Sequence, residues 1–108
     1  MSSSQILKGI LEGCLLSIIA KKETYGYEMT EKLSKYGFTM VSEGSIYPLL
    51  LRMKKVGLVT VSQKKLPSGG PTRKYYSLST KGYDELEEFK KNWATISNSV
   101  QQLLKEGD

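Results

Sequence analysis

The clearest periodic pattern in the chain lies in residues 42–57, where apolar side chains recur at intervals of three and four. This spacing places them on one stripe of an α-helix; they are Ile46, Leu49, Leu50, Met53 and Val56. Ser42 is a residue type that caps helix starts, and Gly57 is typical just beyond a helix end. The pattern therefore predicts a helix with one buried stripe and an outward face that carries small residues near its start and cations near its end.

After this helix the period changes from helical to alternating. Residues 58–65 alternate apolar and polar side chains and predict a strand, and residues 72–79 predict a second strand that is rich in aromatic and hydroxyl side chains. Between them, residues 66–71 (Leu-Pro-Ser-Gly-Gly-Pro) form a concentrated turn signal. The prediction is a β-hairpin, and a helix followed directly by a hairpin is the element order of a winged helix.

Two helices are predicted before this unit. Residues 5–21 carry apolar side chains at helical spacing on a broad stripe, which is expected either to fill the core or to be partly buried against a second subunit. A second helix begins after Thr24 and ends at Gly37. The side chains expected to pack inward from it are Tyr27 or Met29, Leu33 and Tyr36. Residues 38–41 are predicted as a short extended link and a candidate third strand beside the hairpin.

The last predicted helix covers residues 80–105, with Ser79 as its N-cap. Its apolar residues alternate steps of three and four, as in a coiled-coil seam: Leu86, Phe89, Trp93, Ile96, Val100 and Leu103. About 26 residues at 1.5 Å each span roughly 39 Å, which is longer than so small a domain covers. We therefore expect a dimer arm, with a monomeric core helix as the alternative. The surface expected to meet it is the partner subunit's first helix, at Ile10 and Leu11.

Composition and charge indicate what kind of partner the protein binds. The chain has 108 residues, the length of one domain, and a formal net charge of +5. Residues 1–80 hold 12 Lys and Arg against 5 Asp and Glu, whereas residues 81–108 hold 4 against 6. No acidic residue lies between Glu43 and Asp84, a stretch that contains eight cations. A surface of one sign predicts binding to a polyanion such as nucleic acid, with a merely solvated basic surface as the alternative.

A groove-binding helix followed by a cationic wing gives particular residues a predicted role toward duplex DNA. The side chains of the helix expected at base edges or adjacent phosphates are Ser42, Ser45, Tyr47, Pro48 and Arg52. Those expected at phosphates, from the helix end and the hairpin, are Lys55, Lys64, Lys65, Arg73 and Lys74. Tyr25 is expected either to donate its hydroxyl to a phosphate or to cap a helix junction in the core.

The residue inventory argues against an enzyme or a metal protein. The chain has no histidine and one cysteine, which excludes a His-based catalytic triad and a zinc site built from several Cys and His ligands. No phosphate-binding loop of the form G-x-x-x-x-G-K-[ST] is present. We therefore predict no catalytic residue, no metal ligand and no cofactor.

The single cysteine also bears on where the protein works. Cys14 allows no intrachain disulfide, lies on an apolar stripe and is expected to be a buried, inert thiol, as suits a reducing cytoplasm. Residues 6–20 are apolar but are interrupted by Lys8 and Glu12, and they are shorter than the ~20 residues that span a bilayer. We expect a cytoplasmic protein with no signal peptide and no membrane partner.

Several stretches together resemble the PadR family of bacterial transcriptional regulators. They are YGYEM at 25–29, EGSIYPLLLRM at 43–53, GL at 57–58 and GPTRKYYSLSTKG at 70–82. The single C-terminal helix resembles the compact branch of that family, which includes multidrug-sensing repressors. The resemblance implies a homodimeric winged-helix repressor on a palindromic DNA operator, often released by a small aromatic ligand.

Element pattern and resemblance agree on the fold. We expect a mainly α protein with a small β-hairpin, in which residues 1–79 form a winged helix-turn-helix DNA-binding domain and residues 80–108 a dimerisation helix, in one compact unit. In the resembling regulators, a tryptophan at the place of Trp93 lines a hydrophobic pore between the subunits and stacks on planar ligands. The same role is expected of Trp93 here, with Cys14 as the second candidate ligand-binding residue, while a tryptophan that only packs the interface is the alternative.

Two rival functions remain open from the sequence. One is a winged-helix adaptor whose groove helix binds another protein. The other is a basic module that binds nucleic acid or a membrane surface without sequence preference. Steep salt dependence distinguishes a DNA-binding regulator from the adaptor. Preference for a palindromic duplex over vesicles or single strands distinguishes it from the basic module.

Overall fold

The computed structural model describes residues 1–106, which form five helices and three strands. In chain order these are α1 (Ser3–Lys8), α2 (Leu11–Lys21), β1 (Thr24–Tyr25), α3 (Gly26–Lys35), α4 (Glu43–Lys55), β2 (Val59–Leu66), β3 (Gly69–Leu78) and α5 (Thr80–Glu106). The strands form an antiparallel sheet in the order β1–β3–β2. The predicted mainly helical fold with a small hairpin and a long last helix is confirmed. The last two residues of the predicted 80–108 unit lie outside the described part of the chain.

The helix predicted over residues 5–21 is two helices, α1 and α2, in the structure. Gly9 is the C-cap of α1, and the N–H of Ile10 donates to the Leu7 carbonyl at 2.9 Å in the turn between them. Glycine weakens a helix interior because it has the most backbone freedom to lose. The apolar period runs through this position unbroken, so it could not locate the turn.

The third strand comes from a different segment than predicted. Residues 38–41 contain no strand, whereas Thr24 and Tyr25 form β1 and pair with residues 75–76 of β3. Thr24 is buried, and its hydroxyl donates to the Glu28 carboxylate at 3.0 Å. The segment predicted to start a helix therefore also completes the sheet. A two-residue strand carries no alternating pattern, so only its tertiary partner defines it.

The core is built from the apolar stripes of α2, α3 and α4 and the inner face of the sheet. Its most deeply buried side chains are Leu15, Leu16, Met29, Leu33, Ile46, Leu50 and Met53. The two core residues of α3 are inward positions predicted for that helix, whereas Tyr27 and Tyr36 are exposed. Burying a large aliphatic side chain stabilises the fold by about 1.5–3 kcal/mol. This shared core fixes the direction in which α4 presents its outer face.

The start of α5 is anchored where α4, the hairpin and α2 meet. The hydroxyl of Ser79 caps α5 by accepting from the Gly82 N–H at 3.0 Å, and its own N–H donates to the Leu58 carbonyl at 3.0 Å. Gly82 is buried so tightly that a Cβ there would lie 2.2 Å from the Leu58 carbonyl oxygen. The Tyr83 hydroxyl donates to the Ala20 carbonyl at 3.2 Å. These contacts attach the first turns of α5 firmly to the winged unit.

Beyond its first turns α5 leaves the surface of this unit. Phe89 still packs against Gly13 of α2, where a Cβ would fall 2.4 Å from the ring. From residue 90 onward nearly every described side chain is exposed, including five large apolar ones: Trp93, Ile96, Val100, Leu103 and Leu104. The molecule measures 55 × 28 × 20 Å because this arm projects.

Two residues predicted at a dimer interface lie in the core of the subunit instead. Leu11 is 7% exposed and Leu86 is 4% exposed, so neither presents apolar surface to a partner. The reason is that α2 and α5 pack against each other within one chain. This intrachain contact covers the beginning of the seam. Ile10 and Phe89 are partly buried beside the same contact.

Candidate nucleic-acid interface

The helix α4 has the start, the stripe and the end that the sequence predicts. Ser42 and Ser45 form a capping box, in which each hydroxyl accepts from the other residue's backbone N–H and the two oxygens lie 2.9 Å apart. Gly57 adopts a φ of 82°, a left-handed conformation that favours glycine, and so ends the helix. The buried stripe is Ile46, Leu50 and Met53, with Leu49 partly buried and Val56 exposed.

The outward face of α4 is open to solvent. The exposed side chains there include Tyr47, Pro48, Leu51 and Lys55. Ser42 and Ser45 are also exposed, although their hydroxyls already take part in the cap. Leu51 is 49% exposed on this face and is not among the residues predicted to contact DNA. The sequence does contain a signal for a contact at Leu51, because a leucine opposite the buried stripe of an amphipathic helix has no core to fill.

Arg52 differs from the other cations of α4 because a carboxylate holds it. Its Nη1 donates to both carboxylate oxygens of Glu12 on α2, at 2.8 and 2.9 Å. The Arg52 side chain is 58% exposed and that of Glu12 26%. The two residues are 40 positions apart in the chain, so no local pattern predicts their contact.

The hairpin divides its four cations between two faces. Cross-strand pairing sets Lys64 opposite Arg73, and successive side chains along a strand point to opposite faces. Lys64 and Arg73 therefore share the outer face of the wing. Lys65 and Lys74 belong to the other face, which continues into the core at Tyr76.

On each face of the wing, a lysine contacts the rest of the domain. On the inner face, the Nζ of Lys74 lies 5.7 Å from the centroid of the Tyr47 ring, a cation–π contact between wing and α4. On the outer face, the Lys64 ammonium forms an ion pair with Glu23, which also accepts from the Ser77 hydroxyl at 3.2 Å. The hydrogen bond from Lys64 lowers the pKa of the Glu23 carboxyl.

Tyr25 lies where the sheet meets the start of α3. Its ring centroid is 5.2 Å from that of Tyr75, and its backbone takes the N-cap position of α3. Desolvation, followed by the charge of Glu28, raises the pKa of its hydroxyl, which therefore stays protonated at neutral pH. The side chain is only partly buried, and it lines an open cleft.

A cleft of about 640 Å³ opens between the start of α3, one flank of α4 and β3. It collects four of the predicted DNA contacts on its walls, together with one carboxylate: Tyr25, Tyr47, Arg73, Lys74 and Glu43. Tyr47 of the groove helix and Arg73 and Lys74 of the wing thus border one continuous depression. Lys55, at the far end of α4, is exposed outside it.

The two candidate ligand-binding residues differ in exposure. Cys14 is partly buried on α2, and burial raises the pKa of its thiol, so it remains protonated. Trp93 is exposed on the projecting half of α5. A planar ligand stacked on Trp93 would need a second wall from outside that half of the helix.

Within residues 1–106, no group of three or more His, Cys, Asp and Glu side chains comes together that could hold a metal ion. Over the same range, no helix combines the length and the apolar character needed to cross a bilayer. The surface formed by α4 and the wing is instead one of cations, hydroxyls and aromatic rings.

Comparison with known proteins connects this surface to a family. The transcriptional regulator PadR-like family matches residues 15–88 of the chain. A PadR-like transcriptional regulator from Bacillus cereus strain ATCC 14579 is 56% identical, over 93% of this chain and 96% of that one, with a TM-score of 0.84. A Streptococcus transcriptional regulator is 39% identical over 92% of this chain and 96% of that one, with a TM-score of 0.82.

A third similar crystal structure is a PadR-like transcription factor from Bacteroides fragilis, 34% identical over 93% of this chain and 95% of that one, with a TM-score of 0.76. The family match extends from α2 into the first turns of α5 and so includes the complete surface described above. The chain therefore belongs to the PadR-like family of transcriptional regulators, which are DNA-binding regulators and not enzymes.

Proposed function

We propose that the chain is a repressor that binds a palindromic operator as a homodimer in the bacterial cytoplasm. One observation carries the proposal: an exposed groove helix is joined directly to a wing, in a stretch of chain whose charged residues are all cations. Residues 44–83 contain eight cations and no acidic residue, and they supply most of α4 and the whole hairpin. Such a surface matches the charge of duplex DNA, and an α-helix matches the width of its major groove.

In the proposed complex, α4 enters the major groove and the wing follows the flanking backbone. Ser45, Tyr47 and Pro48 lie on the first two turns of α4, where a groove helix meets base edges. Ser42, which caps the helix, lies beside the first of these turns. The cations at the helix end and on the wing neutralise phosphates: Lys55, Lys64, Lys65, Arg73 and Lys74. The protonated Tyr25 hydroxyl donates to a further phosphate.

A second copy of the chain is the proposed partner of the projecting half of α5. Trp93, Ile96, Val100 and Leu103 expose an apolar stripe with steps of three and four, the spacing that pairs helices. Joining two arms holds the two α4 helices at one separation. Half-sites about 34–36 Å apart on a two-fold operator would then each receive one helix.

We also propose a small planar hydrophobic effector that binds beside Trp93 where two subunits meet, with Cys14 of α2 near the same interface. Such a ligand releases the operator only if it binds more tightly to a dimer in which the two α4 helices have another separation. Trp93 supplies a flat aromatic face for stacking, so planar guests are preferred.

Salt-dependent binding to duplex DNA tests the proposal. The duplex is obtained by repeated selection from a random-sequence library with the purified chain. We expect affinity to fall steeply with added salt, because bound cations displace phosphate counterions. Replacing Lys64 and Lys65 by Ala should weaken binding to every duplex and reduce the salt slope by up to about two units per subunit.

A double replacement of Lys90 and Lys91 by Ala is the matched control, since it removes the same charge from the exposed surface of α5. We expect it to leave the slope close to that of the wild type. If instead the wing variant kept the full slope, the wing would not contact phosphates. Weak binding without enrichment of any duplex would favour a protein–protein adaptor.

A further inference from the structure

We infer that Glu12 is a positioning residue, which orients the guanidinium of Arg52 for contact with DNA. The inference rests on the proposed function, in which α4 enters the major groove, and on the sequence-based expectation that Arg52 of α4 contacts DNA there. The contact joins α2 to α4: both oxygens of Glu12 accept from the same nitrogen, Nη1, at 2.8 and 2.9 Å.

The geometry of the pair leaves part of the guanidinium free. Arginine carries N–H donors on all three of its terminal nitrogens. Glu12 engages Nη1 alone, and residues 1–106 provide no hydrogen-bond acceptor to Nε or Nη2. The Arg52 side chain is also 58% exposed. Arg52 can therefore hold Glu12 and an outside acceptor at the same time.

Glu12 is itself well fixed. It lies between Leu11, a core residue, and Gly13, which packs directly against the Phe89 ring. Its side chain is only 26% exposed. The backbone that carries the carboxylate is thus held in place on α2, and the long side chain of Arg52 meets the carboxylate there.

Holding the arginine in advance strengthens and sharpens a contact. A free arginine loses rotamer freedom when it binds, whereas a prepositioned one has already lost it in the folded protein. A fixed planar fork also matches the paired acceptors of a guanine edge or a phosphate. Removing Glu12 should therefore weaken discrimination between duplexes, even though it removes a negative charge from the DNA-facing side.

The opposite role, in which Glu12 masks Arg52 from DNA, predicts the opposite sign. If the carboxylate competed with DNA for Arg52, its removal would release the cation and tighten binding to every duplex. The direction of the change therefore separates positioning from competition.

The experiment compares E12Q with E85Q, using the duplex selected by the wild type and a scrambled duplex. Both variants raise the net charge by the same amount, because each replaces one carboxylate with an amide. Glu85 is exposed on α5, and within the described chain it forms no ion pair. We expect E12Q to lower the ratio of the affinity for the selected duplex to that for the scrambled duplex about three- to tenfold. E85Q should leave the ratio unchanged. In an R52Q background, adding E12Q should change the ratio no further.

R52K provides a second route if E12Q fails to fold, which thermal unfolding followed by circular dichroism would reveal. It keeps the charge but loses the planar fork, so we expect the wild-type salt slope with a ratio reduced as in E12Q. An E12Q protein that discriminates as well as E85Q, or that binds all duplexes more tightly than E85Q does, overturns this inference but not the proposed function. A wild type that binds no duplex in a salt-dependent manner overturns the proposed function.

Discussion

Leu51 is the exposed leucine on a face of α4 that otherwise presents Tyr47, Pro48 and Lys55. The major groove offers one apolar feature, the methyl group of thymine. In the proposed complex we expect Leu51 to contact such a methyl. Replacing thymidines in the selected duplex by deoxyuridine, one at a time, removes the methyl and nothing else. At one position in each half-site, affinity should fall roughly fourfold, the effect of one buried methyl group.

The L51A variant is the control for this experiment. Because it lacks the contacting side chain, its affinity should not change at the sensitive position. A wild type that is indifferent to deoxyuridine everywhere, or an L51A variant that retains the sensitivity, would show that Leu51 does not read the methyl.

Glu23 gives a prediction for pH. The hydrogen bond from Lys64 lowers its pKa below the ordinary value of 4.5, so the charged carboxylate stabilises the fold at neutral pH. This contribution is complete above the ordinary pKa and is lost as the pH falls through the lowered one. E23Q should melt slightly below the wild type at about pH 7, and the difference should shrink as the pH falls below the ordinary pKa of 4.5 and through the lowered one. Thermal unfolding across this range checks it; equal melting at neutral pH would contradict it.

At the scale of single residues, the sequence predicted the kind of surface but not its internal partners. None of the predicted DNA contacts is buried, since charge and position on an amphipathic helix or hairpin favour exposure. The carboxylates that hold Arg52 and Lys64 could not be anticipated. Each lies about 40 positions away in the chain, on an element whose packing depends on the whole core.

At the scale of elements, those with their own boundary signals were predicted well. The helix α4 begins at a serine cap and ends at a glycine with positive φ, and α5 begins behind the cap Ser79. Elements that depend on a distant partner were not. β1 exists because two residues meet β3, and the turn at Gly9 interrupts an apolar stripe that continues on both sides.

Gly82 tests how α5 is anchored. In G82A the new methyl group would lie 2.2 Å from a backbone oxygen, that of Leu58, which cannot move without shifting the end of α4. We expect a loss of about 1–3 kcal/mol in the free energy of unfolding. Urea titration followed by circular dichroism measures it.

G44A is the matched control, another glycine-to-alanine change within the first turn of a helix. Its Cβ would meet only the Ser42 hydroxyl oxygen, at an ordinary 3.7 Å. Alanine is the better helix former, so G44A should raise the free energy of unfolding by up to about 1 kcal/mol. Equal effects of the two substitutions would mean that the α5 junction is not tightly packed.

At the scale of the whole molecule, the projecting half of α5 dominates the shape. Periodicity predicted a seam from Leu86 to Leu103 but could not tell which part packs within the chain and which part lies open. The structure divides it near Phe89: the earlier residue Leu86 fills the core, and the later apolar residues are exposed. The exposed stripe is what the proposed second subunit would cover.

A charge placed in this stripe should separate the subunits. We expect V100D to dissociate the dimer, because an aspartate would be buried there without a partner. N98D adds the same side chain at an exposed position of α5 outside the seam and should remain dimeric. Size-exclusion chromatography with light scattering distinguishes the two outcomes. If V100D and N98D had the same mass in solution, Val100 would not lie in the dimer interface.

The central claim is that a dimer holds its two α4 helices, each with its cationic wing, at one separation on a two-fold symmetric duplex. Sedimentation velocity of the wild-type chain, alone and with the selected duplex, measures this most directly. We predict a dimer at micromolar concentration and two subunits on each two-fold symmetric duplex. A chain that sediments as a single subunit and binds symmetric and asymmetric duplexes equally would contradict the account.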